Sequence, residues 1–461
     1  MLDGNNNSKA LIFREKYPNF IYHNFKIEDN NEELTIKFHF EIEGLKEFFP
    51  TIRILKKKYF KNNIDKNILD NLVFHIGLIE MISYYKATLS KNIIIECGTL
   101  SNDQIEFFKK LFFNGLSELM YRNNISISKD ELFDMSFTSN ITYSYEDNNE
   151  YSGYLIPIGG GKDSIVTLEN LPIELDRDLV ISINPKDPHK DCATTRGFSL
   201  DRLVEVYRTI DKGIIELNNE GFINGHTPFS ALVSFITYLV AYLTGKKYIV
   251  LSNESSANDA NIPGTHVNHQ YSKSYEYEND FRNYSNKYLK LNIEYFSFLR
   301  GLNEIEITKL FSKYDKYHNI FKSCNLGSKE TPWIWCNNCP KCMFVYTILS
   351  PFIEEEKLIN IFGENLFNKE SLKEIFIDLT GNGKLKPFEC VGTKEEVEYA
   401  ISKTISIYEE NNKELPLLLK YYRDNYKLVD LNTDLLTIYN EDNNNTEELN
   451  NILKENIQDD W

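Results

Sequence analysis

Leu34, Ile36, Phe38, Phe40 and Ile42 alternate with polar or charged neighbours, the period-two pattern of a strand with one buried face. Residues 20–28 supply a hairpin partner, with Asp29-Asn30-Asn31 as the turn. The period then lengthens. Over residues 65–86, Ile68, Leu69, Leu72, Val73, Ile76 and Ile79 fall on one side of a helix. A short apolar strand follows at 92–96, and Ser101 with Gln104 predicts a capping box at the start of another helix. Residues 1–150 therefore predict an N-terminal α+β domain, closed by the polar stretch 148–153.

Beyond that stretch, compact apolar runs alternate with helical ones. Strands are predicted at 154–158, 179–184, 213–217 and 248–251, and helices at 164–170, 199–211 and 229–243. The alternation predicts an α/β domain over 151–300, with a parallel, doubly wound sheet covered on both faces. Such sheets bind ligands outside the carboxyl ends of their strands. The polar residues after each strand should therefore converge. After the first come Gly159, Gly160, Gly161, Lys162, Asp163 and Ser164; after the second, Asn184, Lys186, His189, Lys190 and Arg196. His226 follows the third. Asn253 and Glu254 follow the fourth, opening a long polar segment that carries His269, Tyr271, Lys273 and Glu276. Residues 301–350 carry a cysteine cluster, and 351–461 read as a helical C-terminal region. Thr393 N-caps a helix there, and a polar end piece starts at Asn443.

Composition narrows the function classes. The chain has 461 residues, 42% of them hydrophobic, and a net charge of −17 from 51 basic and 68 acidic side chains. That balance disfavours broad nucleic-acid binding, which depends on neutralising phosphates with Lys and Arg. The most apolar window, 229–243, is shorter than the roughly 20 residues that span a bilayer. No leader-like apolar stretch opens the chain, so no membrane partner and a cytoplasmic location are expected.

A strand, a triglycine turn and a helix start make an anion site, because glycine backbones approach closely and helix N-termini attract negative charge. Gly159-Gly160-Gly161-Lys162-Asp163-Ser164 resembles the PP-loop of ATP pyrophosphatases, with Gly159 where those loops carry a serine. The resemblance implies a PP-loop (HUP-like) sheet that splits ATP between its α and β phosphates. Cys324, Cys336, Cys339 and Cys342 have the spacing of a metal site. A structural zinc tetrathiolate and an iron–sulfur cluster both remain open on that spacing. Cys97, Cys192 and Cys390 are read as packing residues.

A PP-loop with a downstream four-cysteine cluster resembles 7-cyano-7-deazaguanine synthase, which leaves open a ligase that captures an acyl adenylate with a nitrogen nucleophile. Further motifs carry a closer resemblance. They are Asn253-Glu254-Ser255-Ser256-Ala257-Asn258, Val267-Asn268-His269-Gln270-Tyr271-Ser272-Lys273-Ser274, the run from Trp335 to Cys342, and 387–393. These resemble the UDP-N-acetylmuramoyl-L-alanyl-L-glutamate epimerase family. Membership implies ATP and Mg2+, and a UDP-linked muramoyl dipeptide whose terminal L-Glu is adenylated and inverted. On that reading Gly159–Gly161 and Ser164 hold phosphates, Asp163 places magnesium, and Asn184, Asn253 and Glu254 lie against the nucleotide. Lys186, Lys190, Arg196 and Lys273 neutralise the substrate. His269, then His226, are the candidate acid and base, with Tyr271, Lys273 and Glu276 behind them.

Overall fold

A computed structural model describes residues 6–458 apart from Pro263. Its strands are β1 (Asn19–Asp29), β2 (Glu33–Ile42), β3 (Lys46–Phe48), β4 (Thr51–Leu55), β5 (Asn92–Ile95), β6 (Asp134–Phe137), β7 (Tyr154–Pro157), β8 (Leu179–Ile183), β9 (Leu203–Thr209), β10 (Tyr248–Leu251) and β11 (Glu294–Ser297). They join in one sheet of order β11-β10-β7-β8-β9-β4-β2-β1-β5-β6, with β3 against β2.

The hairpin forms as its alternation predicts, with Phe25 opposite Phe38 and Ile27 opposite Ile36. Asn30 Oδ1 closes the turn by accepting the N–H groups of Glu32 at 2.8 Å and Glu33 at 2.9 Å. The helix Lys66–Glu80 starts from Asp65, whose carboxylate accepts the N–H of Asn67 at 2.7 Å.

Strand β4 runs antiparallel to both β2 and β9 and so splices the two halves of the sheet. From β9 through β8, β7 and β10 to β11 every pairing is parallel. The stretch 148–153 thus connects an edge strand, β6, to the middle of the parallel half of the same sheet. One apolar cluster binds Phe38, Leu72 and Ile76 to Phe235 and Leu239 of the helix Phe229–Thr244. A second, which contains Ile165, Phe311, Met343 and Ile401, covers the opposite face. Among the described residues, no helix is long and apolar enough to cross a membrane.

Two expected elements exchange roles. Residues 199–211, expected as a helix, contain β9; residues 213–217, expected as a strand, begin the helix Gly213–Asn219. Val204 and Val206 are buried while Glu205 and Tyr207 are partly exposed, a strand alternation, and β9 is paired on both sides. Asp211 then accepts the N–H of Gly213 at 2.7 Å, and Ile214 and Leu217 bury one face three residues apart. The polar end piece also needs correcting. Glu447–Gln458 is an amphipathic helix whose Leu449, Leu453 and Ile457 pack into the second cluster.

Candidate active site

Strand β7 ends at Pro157, and the chain turns through the glycines into the helix Lys162–Asn170. Gly160 has φ +72°, and a Cβ there would come within 3.0 Å of His189 and 3.2 Å of Pro188, so glycine is required on both counts. A Cβ on Gly159 would meet nothing within 4 Å. Gly160 O accepts the N–H of Lys322 at 2.8 Å, and Ser164 Oγ donates to Gly161 O at 2.9 Å. The turn is therefore held rigid from behind. It forms one wall of a cleft of about 390 Å³ whose other walls include Ile181 and Ile183, Ser252 and Asn253, and Lys273, Trp333 and Lys341. These come from the ends of β8 and β10, from the loops beyond them and from the start of the helix Pro340–Leu349, at the end of the sheet where a parallel sheet places its ligands.

At the foot of the helix, carboxylate oxygens of Asp163, Glu254 and Glu304 lie within 4.8 Å of one another. Lys162 Nζ sits 2.5 Å from Asp163 and 2.9 Å from Glu304. Burial opposes its charge, but the two carboxylates outweigh that and hold its pKa above the ordinary lysine value. Burial pushes Glu304 above the usual carboxylate range against the pull of Lys162. Glu304 Oε2 is buried without a hydrogen-bond partner among the described groups. Three clustered carboxylates, two of them paired with one ammonium and one with an orphaned oxygen, fit a hard divalent cation.

Above the cleft, Lys273 Nζ lies 3.2 Å from Cys390 Sγ, and Lys341 Nζ donates to Cys390 O. Burial raises the thiol pKa, yet Lys273, His269 and Lys341 outweigh it and hold Cys390 at about 6. Behind it, His269 Nδ1 lies 2.5 Å from Glu118 Oε2. Burial works against the His269 charge, while hydrogen bonds to Cys390 and Glu118 lift its pKa to about 9. The His226 ring lies beside it, centroids 4.1 Å apart and tilted by 40°, and burial with the neighbouring His269 charge depresses His226 to about 3.

The remaining predicted residues separate. Asn253 lines the cleft and exchanges hydrogen bonds with Ser297 at 2.5 and 2.8 Å. Asn184 braces β8 to β9, accepting the Arg208 N–H at 2.9 Å. Glu276 pairs with Lys110 at 2.7 Å on the surface, and Tyr271 is buried in the first apolar cluster. Lys186 donates to Ser328 O, Arg196 to Leu168 O at 2.6 Å, and Lys190 lies 3.7 Å from Glu205. Of the four proposed substrate cations, only Lys273 lines the cleft.

Sequence reasoning missed Cys390, Glu304, Glu118 and Lys341 as site residues. Two had a signal: Lys341 sits inside the cysteine motif, and Cys390 inside the specific run 387–393. That run is anchored by Glu396. Its carboxylate accepts the N–H of Thr393 at 2.5 Å, the N–H of Glu304 at 2.6 Å and the Ser256 hydroxyl at 3.0 Å.

The four cysteines gather as expected. Cys324 and Cys339 Sγ are 3.9 Å apart, Cys336 and Cys342 Sγ 3.8 Å, and all four fall within 4.8 Å. Sulfurs about 2.3 Å from one tetrahedral ion would be about 3.8 Å apart, so the thiols can bind a single metal ion. The knot tethers Ser323 and Asn325 on one side and Lys341 on the other, all lining the cleft.

Comparison with known proteins agrees with the motifs. The family model of the MurL N-terminal domain matches residues 12–298, and that of the MurL C-terminal domain matches 320–428. Three similar proteins are named UDP-N-acetyl-alpha-D-muramoyl-L-alanyl-L-glutamate epimerase. The one from Xanthomonas oryzae pv. oryzae is 32% identical over 363 residues, 77% of this chain and 79% of its own. The one from Micromonospora sp. is 35% identical, covering 71% of this chain and 73% of its own, and that from Salinispora tropica is 32% identical, covering 71% of each. With both domain models matched in order along the chain, the protein belongs to the MurL family.

Proposed function

We propose that the chain is an ATP-dependent epimerase of the peptidoglycan precursor UDP-N-acetylmuramoyl-L-Ala-L-Glu. The observation that carries the reading is the glycine turn with Asp163 in one cleft, the Glu254 and Glu304 carboxylates clustered against Asp163, together with relatives named for that epimerisation. A Cα proton beside a free carboxylate is hard to remove, since the product is a dianion. Attack of the carboxylate oxygen on the α phosphorus of ATP expels pyrophosphate and gives a mixed anhydride. The charge next to Cα is removed, and the proton becomes acidic enough for a side-chain base.

Gly159–Gly161 and the helix start at Lys162 receive the outer phosphates. Ile181 and Ile183, at the end of β8, offer an apolar wall to the adenine. Asp163, Glu254 and Glu304 would hold Mg2+, which would offset phosphate charge. Lys273 and Lys341 supply local positive charge to an anionic substrate in a chain of net charge −17. Zinc is the ion proposed for the cysteine knot, in a structural role, because four thiolates close its coordination.

Incubation with the L-Glu precursor, ATP and Mg2+ should give AMP, pyrophosphate and a product of unchanged mass whose hydrolysate contains D-Glu. AMP formation with a product of altered mass would instead make the chain a ligase.

A further inference from the structure

We propose that Cys390 is the catalytic base that removes the Cα proton, with Lys273, His269 and Glu118 as its positioning residues. The assignment rests on the epimerase reading above. Its warrant is placement. Cys390 lines the same cleft as the glycine turn, Asp163 and Asn253, whereas neither His269 nor His226 does. A carboxyl group adenylated at that turn is therefore presented to a sulfur and not to an imidazole.

The surroundings keep the sulfur ionised. Lys273 Nζ stands 3.2 Å from it, and His269, fixed by Glu118 at 2.5 Å, adds its positive charge from behind. Thiolate and imidazolium form a pair whose carboxylate partner orients the ring, so His269 acts through Cys390. The chain loop is equally fixed: Asn261 donates to Pro387 O at 3.1 Å, Asn325 to Glu389 at 2.8 Å, and Lys341 to Cys390 O. A packing cysteine needs none of these contacts.

In the step, the thiolate takes the Cα proton as the Cα–H bond breaks and an S–H bond forms. The electron pair moves into the enolate of the mixed anhydride. The proton returned to the opposite face comes from a donor other than Cys390, and the thiol afterwards releases its proton to water. Water then attacks the acyl carbon, the anhydride C–O bond breaks and AMP leaves, so the net change at Cα is replacement of the original hydrogen by one from solvent.

The test uses the full chain with ATP, Mg2+ and the L-Glu precursor in deuterium oxide. Wild type must first show substrate-dependent ATP–pyrophosphate exchange; its absence would refute the adenylation reading itself and not the base. Given that exchange, Cys390→Ser should retain it within a few-fold, showing a folded site, while deuterium incorporation at Cα and epimerisation both fall by about 100-fold or more. Wild-type rates of deuterium incorporation in Cys390→Ser would overturn the proposal. So would an acid-stable glutamyl peptide mass on Cys390, which would make it a nucleophile. Alkylation of Cys390 by iodoacetamide, followed by peptide mass spectrometry, gives a second readout. Its rate should titrate near pH 6, be blocked by ATP with substrate, and shift to higher pH in Lys273→Met. An unshifted profile in Lys273→Met would remove Lys273 as a positioning residue.

Discussion

Lys162 Nζ lies 2.9 Å from the Glu304 carboxylate, turned inward from the glycine turn. A lysine in a phosphate loop suggests a cation on the phosphates, yet here it neutralises carboxylates at the foot of the helix. Both side chains are 4% exposed, so removing one strands the other. Lys162→Met should destabilise the fold by about 3 kcal/mol, read as a lower urea midpoint at unchanged slope.

Gly160 is the least replaceable residue of the turn. Its φ of +72° and the 3.0 Å approach of His189 exclude a side chain. Gly160→Ala should cost about 1–2 kcal/mol of stability and weaken ATP binding at least about tenfold, measured by calorimetry. A Cβ on Gly159 would meet nothing within 4 Å, so Gly159→Ser should leave the melting temperature unchanged.

The two adjacent imidazoles should differ in charge near neutral pH, His269 protonated and His226 neutral. His269 should titrate near pH 9 and His226 remain neutral above about pH 3, in proton-detected spectra of 13C-histidine protein. Because the folded His269 pKa is raised above its ordinary 6.5, its own contribution to stability is full below pH 6.5 and is lost as pH rises through about 9. Glu118→Gln should lower the His269 titration midpoint and move that loss to lower pH.

Purified protein should carry a single metal ion per chain at the four thiols. Cys336→Ser should abolish it, as read by elemental analysis, and lower the melting temperature. The change should reach the cleft, since Lys341, between Cys339 and Cys342, holds the Cys390 carbonyl.

The final helix is anchored by Leu453, which is fully buried. Leu453→Ala should cost about 2–5 kcal/mol in chemical denaturation.

Strong local patterns carried much of this molecule. The alternation in β2, the capping box at Ser101, the cysteine spacing and the strand–glycine–helix order can each be read within a dozen residues, and each forms as expected. Residues 203–219 were misread because short apolar runs fit either period, and pairing with β4 and β8 decides the outcome for β9. Glu118 had no local signal. It reaches His269 across 151 residues of chain, through a fold in which residues 1–150 share a sheet with the glycine turn. Cys390 was visible as part of an unexplained motif, but its chemistry comes from Lys273 and His269, which only the tertiary structure brings to it.

On the proposed reading the glutamyl carboxylate is activated as an adenylate. Substrate labelled with 18O in the Glu α-carboxylate, turned over with ATP and Mg2+, shows where that oxygen goes. Transfer of one labelled oxygen into AMP, with none in pyrophosphate, is the predicted result. Epimerised product accompanied by unlabelled AMP, or formed without ATP, would contradict it.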